Sequence, residues 1–318
     1  MTHAGRLLRK LGPVVALFVV VALFSFLQPK TFPTADNFGL ILLQTAVVGT
    51  AALGMTLIIV SGGIDLSIGS TIALTTVVVA RILAAGHSVP IAIGGGLLVG
   101  ALAGALIGTL VTQLKLSPFI VTLGTWGAYR GLAKGLASET VVQAPVTGLN
   151  DVMTTLAPDR RWMLFPAGVW ITLALGLLIA AMLRYTRFGR HIFAIGSNEA
   201  TARLCGVPVN RTKLGIYTLG VALAGIAGVL QFSYTGQGDP TTATGLELDA
   251  IAAVVIGGAS LAGGQGSILG SLLGATLMTV IANGGTKMNL PNWVQEIVTG
   301  VIIVLAVTLD RLRHRADA

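Results

Sequence analysis

Residues 37–84 read NFGLILLQTAVVGTAALGMTLIIVSGGIDLSIGSTIALTTVVVARILA. Residues 39–60 carry no charged side chain, and a second mostly apolar stretch follows at 69–85 after a short polar turn. The hydrocarbon core of a bilayer is crossed by a helix of about 20 apolar residues. This part of the chain therefore predicts two membrane-spanning helices that are joined by a glycine-rich turn.

The composition of the whole chain supports the same class of protein. Of its 318 residues, 54% are hydrophobic and only 10% are charged, whereas soluble domains carry about 25% charged residues. The net charge of +8 comes from basic residues that flank apolar runs, which favours membrane topology over nucleic-acid binding. The single cysteine excludes an intrachain disulfide. We predict an all-α polytopic membrane protein, with residues 1–318 forming one transmembrane domain.

Ten membrane spans are predicted from the apolar runs. If both termini lie inside the cell, most Lys and Arg residues also lie inside, as the positive-inside rule requires. Three loops then matter: an outside loop at 138–162 with room for a short surface helix, a basic inside loop at 184–212, and a polar outside loop at 235–247. The glycine turn between the eighth and ninth spans leaves a re-entrant arrangement open as an alternative. The ten predicted spans are 12–28, 39–60, 69–85, 89–114, 118–137, 163–183, 213–234, 248–263, 266–284 and 292–309.

Small residues recur every four positions in the fourth span, which contains Gly96, Gly100, Gly104 and Gly108. Such a stripe lies on one helix face and allows another backbone to approach closely. The stripe predicts close helix packing, either inside one bundle or at a dimer seam.

Polar side chains inside the apolar runs are the candidates for a translocation path. Asp65 and Ser67 in the glycine-rich turn have two interpretations: one of them caps the following helix, or both line a path through the membrane. Amides, hydroxyls and an aromatic side chain elsewhere either bond neighbouring helices or bind an uncharged polyhydroxyl solute. The predicted path residues are Gln44, Asp65, Ser67, Thr125, Trp126, Gln231 and Asp249.

No arrangement typical of catalysis is found in the sequence. All four histidines lie outside the apolar spans, which argues against intramembrane zinc or Ser–His chemistry. The sequence contains no Gly-Lys dipeptide and hence no phosphate-binding P-loop. We expect no catalytic residue, no metal ligand and no cofactor in this chain.

The inside loop at 184–212 contains a short helix signal. Ser197 or Asn198 can cap it, residues 200–205 favour helix, and Gly206 followed by Pro208 ends it. We expect a helix that docks on a cytoplasmic partner; the alternative is a helix that lies on lipid headgroups.

Three stretches together resemble a known family. They are Ser-Gly-Gly-Ile-Asp-Leu-Ser-Ile-Gly-Ser at 61–70, Phe-Ala-Ile-Gly-Ser-Asn-Glu-Ala at 193–200 and Leu-Asp-Ala-Ile-Ala-Ala-Val-Val-Ile-Gly-Gly at 248–258. In this order and spacing they resemble the permease subunits of bacterial ribose-type monosaccharide ABC importers, which are binding-protein-dependent transport systems of the inner membrane. The resemblance runs from about residue 40 to 310.

The resemblance implies a fold similar to the vitamin B12-type (type II) importers, with about ten helices and both termini inside. It implies four kinds of contact: a cytoplasmic ABC ATPase that carries the ATP and Mg, an extracytoplasmic sugar-binding protein, a second permease copy or paralogue that completes a dimer, and the lipid bilayer. The short inside helix would be the coupling helix, although Thr201 replaces an alanine of the family pattern. The residues that this resemblance assigns to ATPase coupling are Ser197, Asn198, Glu199, Ala200, Arg203 and Gly206.

The function that follows is transport without hydrolysis in this chain. The resemblance implies a path for ribose or another simple sugar, and it leaves the identity of the sugar and the choice between homodimer and heterodimer open. The alternatives are a stand-alone channel or facilitator for small polar solutes, and an ABC permease for a nucleoside or another non-sugar solute.

Overall fold

The computed structural model describes residues 3–156 and 162–317, and the side chains of residues 12–156 and 162–308. Most of this part of the chain is helical. One two-stranded ribbon, β1 (Val142–Gln143) with β2 (Gln237–Gly238), and a 3-10 turn at Asn150–Met153 accompany the helices. The helices are α1 (His3–Leu27), α2 (Ala35–Val60), α3 (Ile68–Ala84), α4 (Val89–Gln113), α5 (Pro118–Ala137), α6 (Ala167–Tyr185), α7 (Arg187–Ser197), α8 (Glu199–Leu204), α9 (Val209–Thr235), α10 (Leu246–Ile256), α11 (Ile268–Lys287) and α12 (Asn292–Asp317).

Five of these helices are long and apolar enough to cross a membrane: α2, α4, α6, α9 and α11. Shorter apolar stretches lie in α1, α3 and α12. The prediction of an all-α polytopic membrane protein is confirmed. The second to seventh predicted spans begin and end within four residues of the observed helices, and the span at 118–137 coincides with α5.

The core is built around α9, which packs against α2, α3 and α4. Glycines bring these backbones together: a Cβ on Gly104 would lie 2.2 Å from the carbonyl oxygen of Tyr217, and a Cβ on Gly54 would lie 2.1 Å from that of Gly220. Small residues at helix crossings give this kind of close contact. The glycine stripe of the fourth span therefore lies inside the bundle, against α9, which decides between the two alternatives for this stripe.

The eighth predicted span, 248–263, is wrong at its C-terminal end. Helix α10 has 11 residues and is about 16 Å long, roughly half the thickness of the hydrocarbon core. The chain turns at Gly258, whose φ is +95°. Residues 257–267 then pass the end of α2, where the Gly264 amide donates to the Val60 carbonyl at 2.8 Å.

The polar stretch 235–247, which the sequence predicts as an outside loop, packs against α3. Residues 236–245, here called the re-entrant segment, run back along α3 in the opposite direction. Gly238 packs on Thr76, and the Thr76 hydroxyl donates to the Asp239 carbonyl at 3.4 Å. Further on, the Ala243 carbonyl reaches Gly69 in the first turn of α3. The re-entrant segment thus leads the chain back to the first turn of α3, close to where α10 begins.

The two long loops contain more structure than their sequences predict. In the loop at 138–162, Val142 of β1 pairs with Gly238 of β2, and the 3-10 turn at Asn150–Met153 takes the place of the expected surface helix. Residues 157–161 lie outside the described part of the chain. The loop at 184–212 contains two helices, α7 and α8, where the sequence predicts one.

Candidate translocation site

A cavity of about 290 Å³ lies between α2, α9, α10 and α11. This volume is at the lower end of the range for small-molecule sites. Three of the predicted path residues line it, one from each of α2, α9 and α10. The lining residues are Gln44, Val47, Val48, Gln231, Tyr234, Leu246, Asp249, Met278, Thr279, Ala282, Asn283 and Thr286.

Neighbouring elements hold the polar groups of the cavity in place. The Gln231 amide donates to the Thr242 hydroxyl of the re-entrant segment at 3.1 Å. Asn283 accepts a 2.9 Å hydrogen bond from the Asn37 amide, which ties the start of α2 to α11. Asp249 belongs to the first turn of α10. The cavity can therefore offer amide donors and acceptors, hydroxyls and one carboxylate to a small solute.

None of the side chains that line the cavity is a Lys, Arg or His. The tyrosine ring of Tyr234 adds an aromatic surface, and Val47 and Met278 add apolar walls. A site of this kind can recognise hydroxyl groups. It offers no side-chain cation to an anionic group.

Asp65 and Ser67 do not line this cavity. Asp65 is completely buried, and its Oδ1 accepts 2.7 Å hydrogen bonds from both the amide and the hydroxyl of Ser67 at the start of α3. These bonds close a local turn before α3, and the N-cap residue Ser67 makes no side-chain capping bond to the helix, so the predicted cap is not formed.

Thr125 and Trp126 also lie away from the cavity, on α5. The Thr125 hydroxyl donates to the Val121 carbonyl of its own helix at 3.0 Å. The Trp126 indole lies beside Glu247, the residue of α10 whose carboxylate packs on Gly69. These two predicted path residues therefore belong to the packing between α5, α10 and the start of α3.

Arg130 holds the re-entrant segment against α5. Its Nη1 donates to the carbonyls of Pro240 at 2.9 Å and Thr242 at 2.7 Å. The side chain is almost fully buried, and the Glu247 carboxylate lies near enough to interact with its charge. A buried guanidinium that is bonded in this way fixes the position of an otherwise irregular backbone.

The predicted coupling residues form a continuous structure in α7 and α8. The Asn198 Oδ1 accepts the Thr201 amide at 2.9 Å and caps α8, so Asn198 and not Ser197, which ends α7, is the cap. Gly206, with φ +82°, ends the helix. Ala200 is exposed, Glu199 is half-buried, and Arg203 bonds to Glu199.

The sequence prediction missed several residues of the cavity. Asn283 is the clearest case, because a carboxamide within an apolar span is a signal that was present but not used. Tyr234 gave no such signal, since a tyrosine near a helix end also suits a membrane interface. The contacts of Arg130 depend on the fold and have no local pattern.

Comparison with known proteins identifies the family. Residues 37–307 match the family described as "branched-chain amino acid transport system / permease component". The chain belongs to this permease family. It is 40% identical over 301 residues to the ribose import permease protein of Escherichia coli, covering 95% of this chain and 93% of the relative.

Two further relatives cover the chain equally well. The ribose import permease protein of Bacillus subtilis is 38% identical, over 97% of this chain and 95% of its own length. The L-arabinose ABC transporter permease protein of Azospirillum brasilense is 32% identical, over 97% and 89%. No solved structure matches the chain.

These matches and the apolar helices define a ribose-type ABC permease, a multi-pass protein of the inner membrane. Its relatives are permease components of ABC transporters and not enzymes.

Proposed function

We propose that this chain forms the translocation path of an ATP-driven importer for a neutral monosaccharide such as ribose. The cavity between α2, α9, α10 and α11 is then a sugar-binding site on that path. The observation that carries the proposal is the lining of the cavity: Gln44, Gln231, Asn283 and Tyr234 offer hydrogen bonds and an aromatic surface without a cation. The 40% identity to a ribose import permease supports the same substrate class.

An amino acid is a weaker candidate, although the family description names one. Its carboxylate would need a cationic side chain or a free helix N-terminus. The first turn of α10, which borders the cavity, already carries the acidic side chains of Glu247 and Asp249. The local charge therefore disfavours an anionic group and suits a neutral sugar.

The proposed assembly follows the resemblance. The permease would cross the membrane ten times with both termini inside, in a fold of the vitamin B12 type, with the re-entrant segment and α10 together counted as one span. A second permease copy or paralogue would complete a dimer, and a sugar-binding protein would deliver the solute from outside. ATP and Mg would bind to a separate cytoplasmic ATPase. Closure of the ATPase pair would move α8 and rock the permease between outward-open and inward-open states.

The first experiment is to purify the tagged chain with the ATPase that co-elutes from its host, reconstitute both in vesicles with the co-expressed binding protein, and measure uptake. We expect ATP-dependent uptake of radiolabelled ribose, arabinose or xylose, and no uptake of leucine. Uptake of leucine alone would overturn the sugar assignment. Uptake of sugar without ATP and without the ATPase would favour the stand-alone channel.

The cavity is tested by Gln44→Leu and Gln231→Leu, with Gln113→Leu as a matched control at an exposed position near the end of α4. Loss of one hydrogen bond to a hydroxyl should lower the transport rate by about three- to tenfold in the two cavity variants. The control should transport at the wild-type rate. Wild-type transport in both cavity variants would remove this cavity from the path.

A further inference from the structure

Helix α8 has one face turned into the protein and one turned away from it. Ala202 is buried with Ile195 of α7 and Val209 of α9 in a small apolar cluster. On the other face, Ala200 is exposed and the Leu204 side chain is 89% exposed. The face that a cytoplasmic partner can reach therefore presents the apolar Leu204 beside Ala200, Thr201 and Arg203, which are also exposed.

The Glu199 carboxylate, in contrast, already forms ion pairs with side chains of its own chain. Its Oε2 accepts a 2.6 Å hydrogen bond from the Lys213 Nζ, and its Oε1 accepts a 3.1 Å bond from Arg203. The Lys213 side chain is only 19% exposed. The hydrogen bond from Lys213 is the main cause that lowers the pKa of Glu199, with Arg203 adding to it.

Exposed ion pairs usually contribute little to stability. This pair differs because it connects a short helix to a long, well-packed one. Helix α8 has six residues and is far too short to be stable without tertiary contacts. Lys213 belongs to α9, the helix that packs against α2, α3 and α4. The Glu199–Lys213 bond thus links α8 directly to the N-terminal part of the central helix α9.

We infer that Lys213 is a positioning residue that clamps α8 to α9 through Glu199, and that Glu199 acts within the chain instead of serving as a contact for the ATPase. This inference rests on the proposed function, in which α8 is the element that docks on the ATPase. Displacement of α8 then reaches α9 through the ion pair and through the apolar cluster around Ala202. A partner surface that fits the free face of α8 has an apolar recess for Leu204 and polar groups next to Thr201 and Arg203.

The clamp can be tested in the permease alone, because Cys205 is the only cysteine and is exposed at the end of α8. A spin label on Cys205 reports the mobility of this helix by electron paramagnetic resonance. We expect higher mobility in Glu199→Lys and in Lys213→Glu, and wild-type mobility in the double charge swap. Arg211→Glu is the matched control, since Arg211 is exposed two residues before Lys213 on α9 and is in neither of the ion pairs found among the described residues. Unchanged mobility in Lys213→Glu would overturn the clamp.

The second measurement is the amount of sugar transported per ATP hydrolysed in the reconstituted complex. Each single charge reversal should lower this ratio by about fivefold or more, and the double swap should restore it. If the swap restores the mobility of α8 but not the coupling ratio, Glu199 contacts the ATPase itself and the inference is wrong.

A separate control distinguishes this inference from the proposed function. A bulky maleimide on Cys205 should block binding of the ATPase to the wild-type permease. If the ATPase still binds to the labelled permease, α8 is not the docking element, whatever the charge-swap variants show.

Discussion

Asp65 is completely buried, and among the described residues only Ser67 bonds to its carboxylate. The bonds from Ser67 hold the turn just before α3, and a hydrogen bond of this kind contributes about 1 kcal/mol to stability. We therefore expect Asp65→Ala to lower the free energy of unfolding by roughly that amount. Asp65→Asn keeps an acceptor in the same place and should unfold close to the wild type. Thermal unfolding in mild detergent measures both; an asparagine variant as unstable as the alanine variant would mean that the negative charge is required.

The ion pairs of Glu199 predict that α8 becomes more mobile at acidic pH. Lys213 and then Arg203 hold its pKa below the ordinary value of 4.5. A lowered carboxylate pKa stabilises the folded arrangement above the ordinary value, and that contribution is lost as the pH falls through the lowered one. The mobility of a spin label on Cys205 should therefore be constant from pH 8 to about pH 5 and should rise only on further acidification. Glu199→Gln, which cannot titrate, should show high mobility at every pH; a rise already near pH 6 in the wild type would contradict the assignment to Glu199.

At the level of elements, the packing of α4 on α9 depends on positions where a side chain has no room. A Cβ on Gly104 would lie 2.2 Å from the Tyr217 carbonyl, whereas a Cβ on Gly94 of the same helix meets nothing within 4 Å. Gly104→Ala should lower the free energy of unfolding by about 1–3 kcal/mol because the two backbones must separate. Gly94→Ala should be neutral or slightly stabilising, since alanine favours helix. Thermal unfolding of the two variants side by side is the measurement, and equal stabilities would show that the helices can adjust.

The re-entrant segment depends on Arg130 of α5, which donates to the Pro240 and Thr242 carbonyls. Arg130→Met removes both bonds and should free residues 236–245, raising their amide hydrogen exchange by about tenfold or more. Arg81→Met is the control, because Arg81 also donates to a carbonyl, that of Leu136, but from an exposed position. Unchanged exchange in the Arg130 variant would mean that the contact of Gly238 with α3 is sufficient to hold the segment.

The accuracy with which the sequence predicts a helix boundary depends on the residues at which the helix ends. Helix α5 begins at a proline that follows a serine, and the predicted span 118–137 coincides with it. Helix α10 ends within an apolar run that continues past Gly257, so hydropathy extends it to residue 263. Hydropathy cannot distinguish a half-crossing from a full one, because the polar backbone of the other half is satisfied by tertiary contacts such as those of Arg130.

At the scale of the whole molecule, the candidate site also depends on tertiary contacts that local sequence patterns do not reveal. Polarity within apolar spans identified Gln44, Gln231 and Asp249, and the fold brings these three together around one cavity. The same criterion also selected Thr125, and the glycine-rich turn between two spans supplied Asp65; both side chains bond to local backbone groups. A single sequence reports which side chains are polar; which of them converge is decided by the packing of α2, α9, α10 and α11.

The orientation of the molecule in the membrane can be tested at two exposed positions. His87 is exposed between α3 and α4, and Cys205 is exposed after α8. Five helices lie between these positions, and in the proposed topology three of them, α4, α5 and α6, cross the membrane, which would place the two positions on opposite sides. The basic residues around α7 and α8 favour the inside for Cys205.

In right-side-out vesicles, an impermeant maleimide should therefore label His87→Cys in a Cys205→Ser background and should not label native Cys205. Permeabilised vesicles, in which both positions should react, are the control for reactivity. Labelling of Cys205 alone would invert the topology and place α8 out of reach of any cytoplasmic ATPase. Labelling of both positions in sealed vesicles would mean that one of α4, α5 and α6 does not cross, and since α4 packs along α9 at Gly104, the failing helix would have to be α5 or α6.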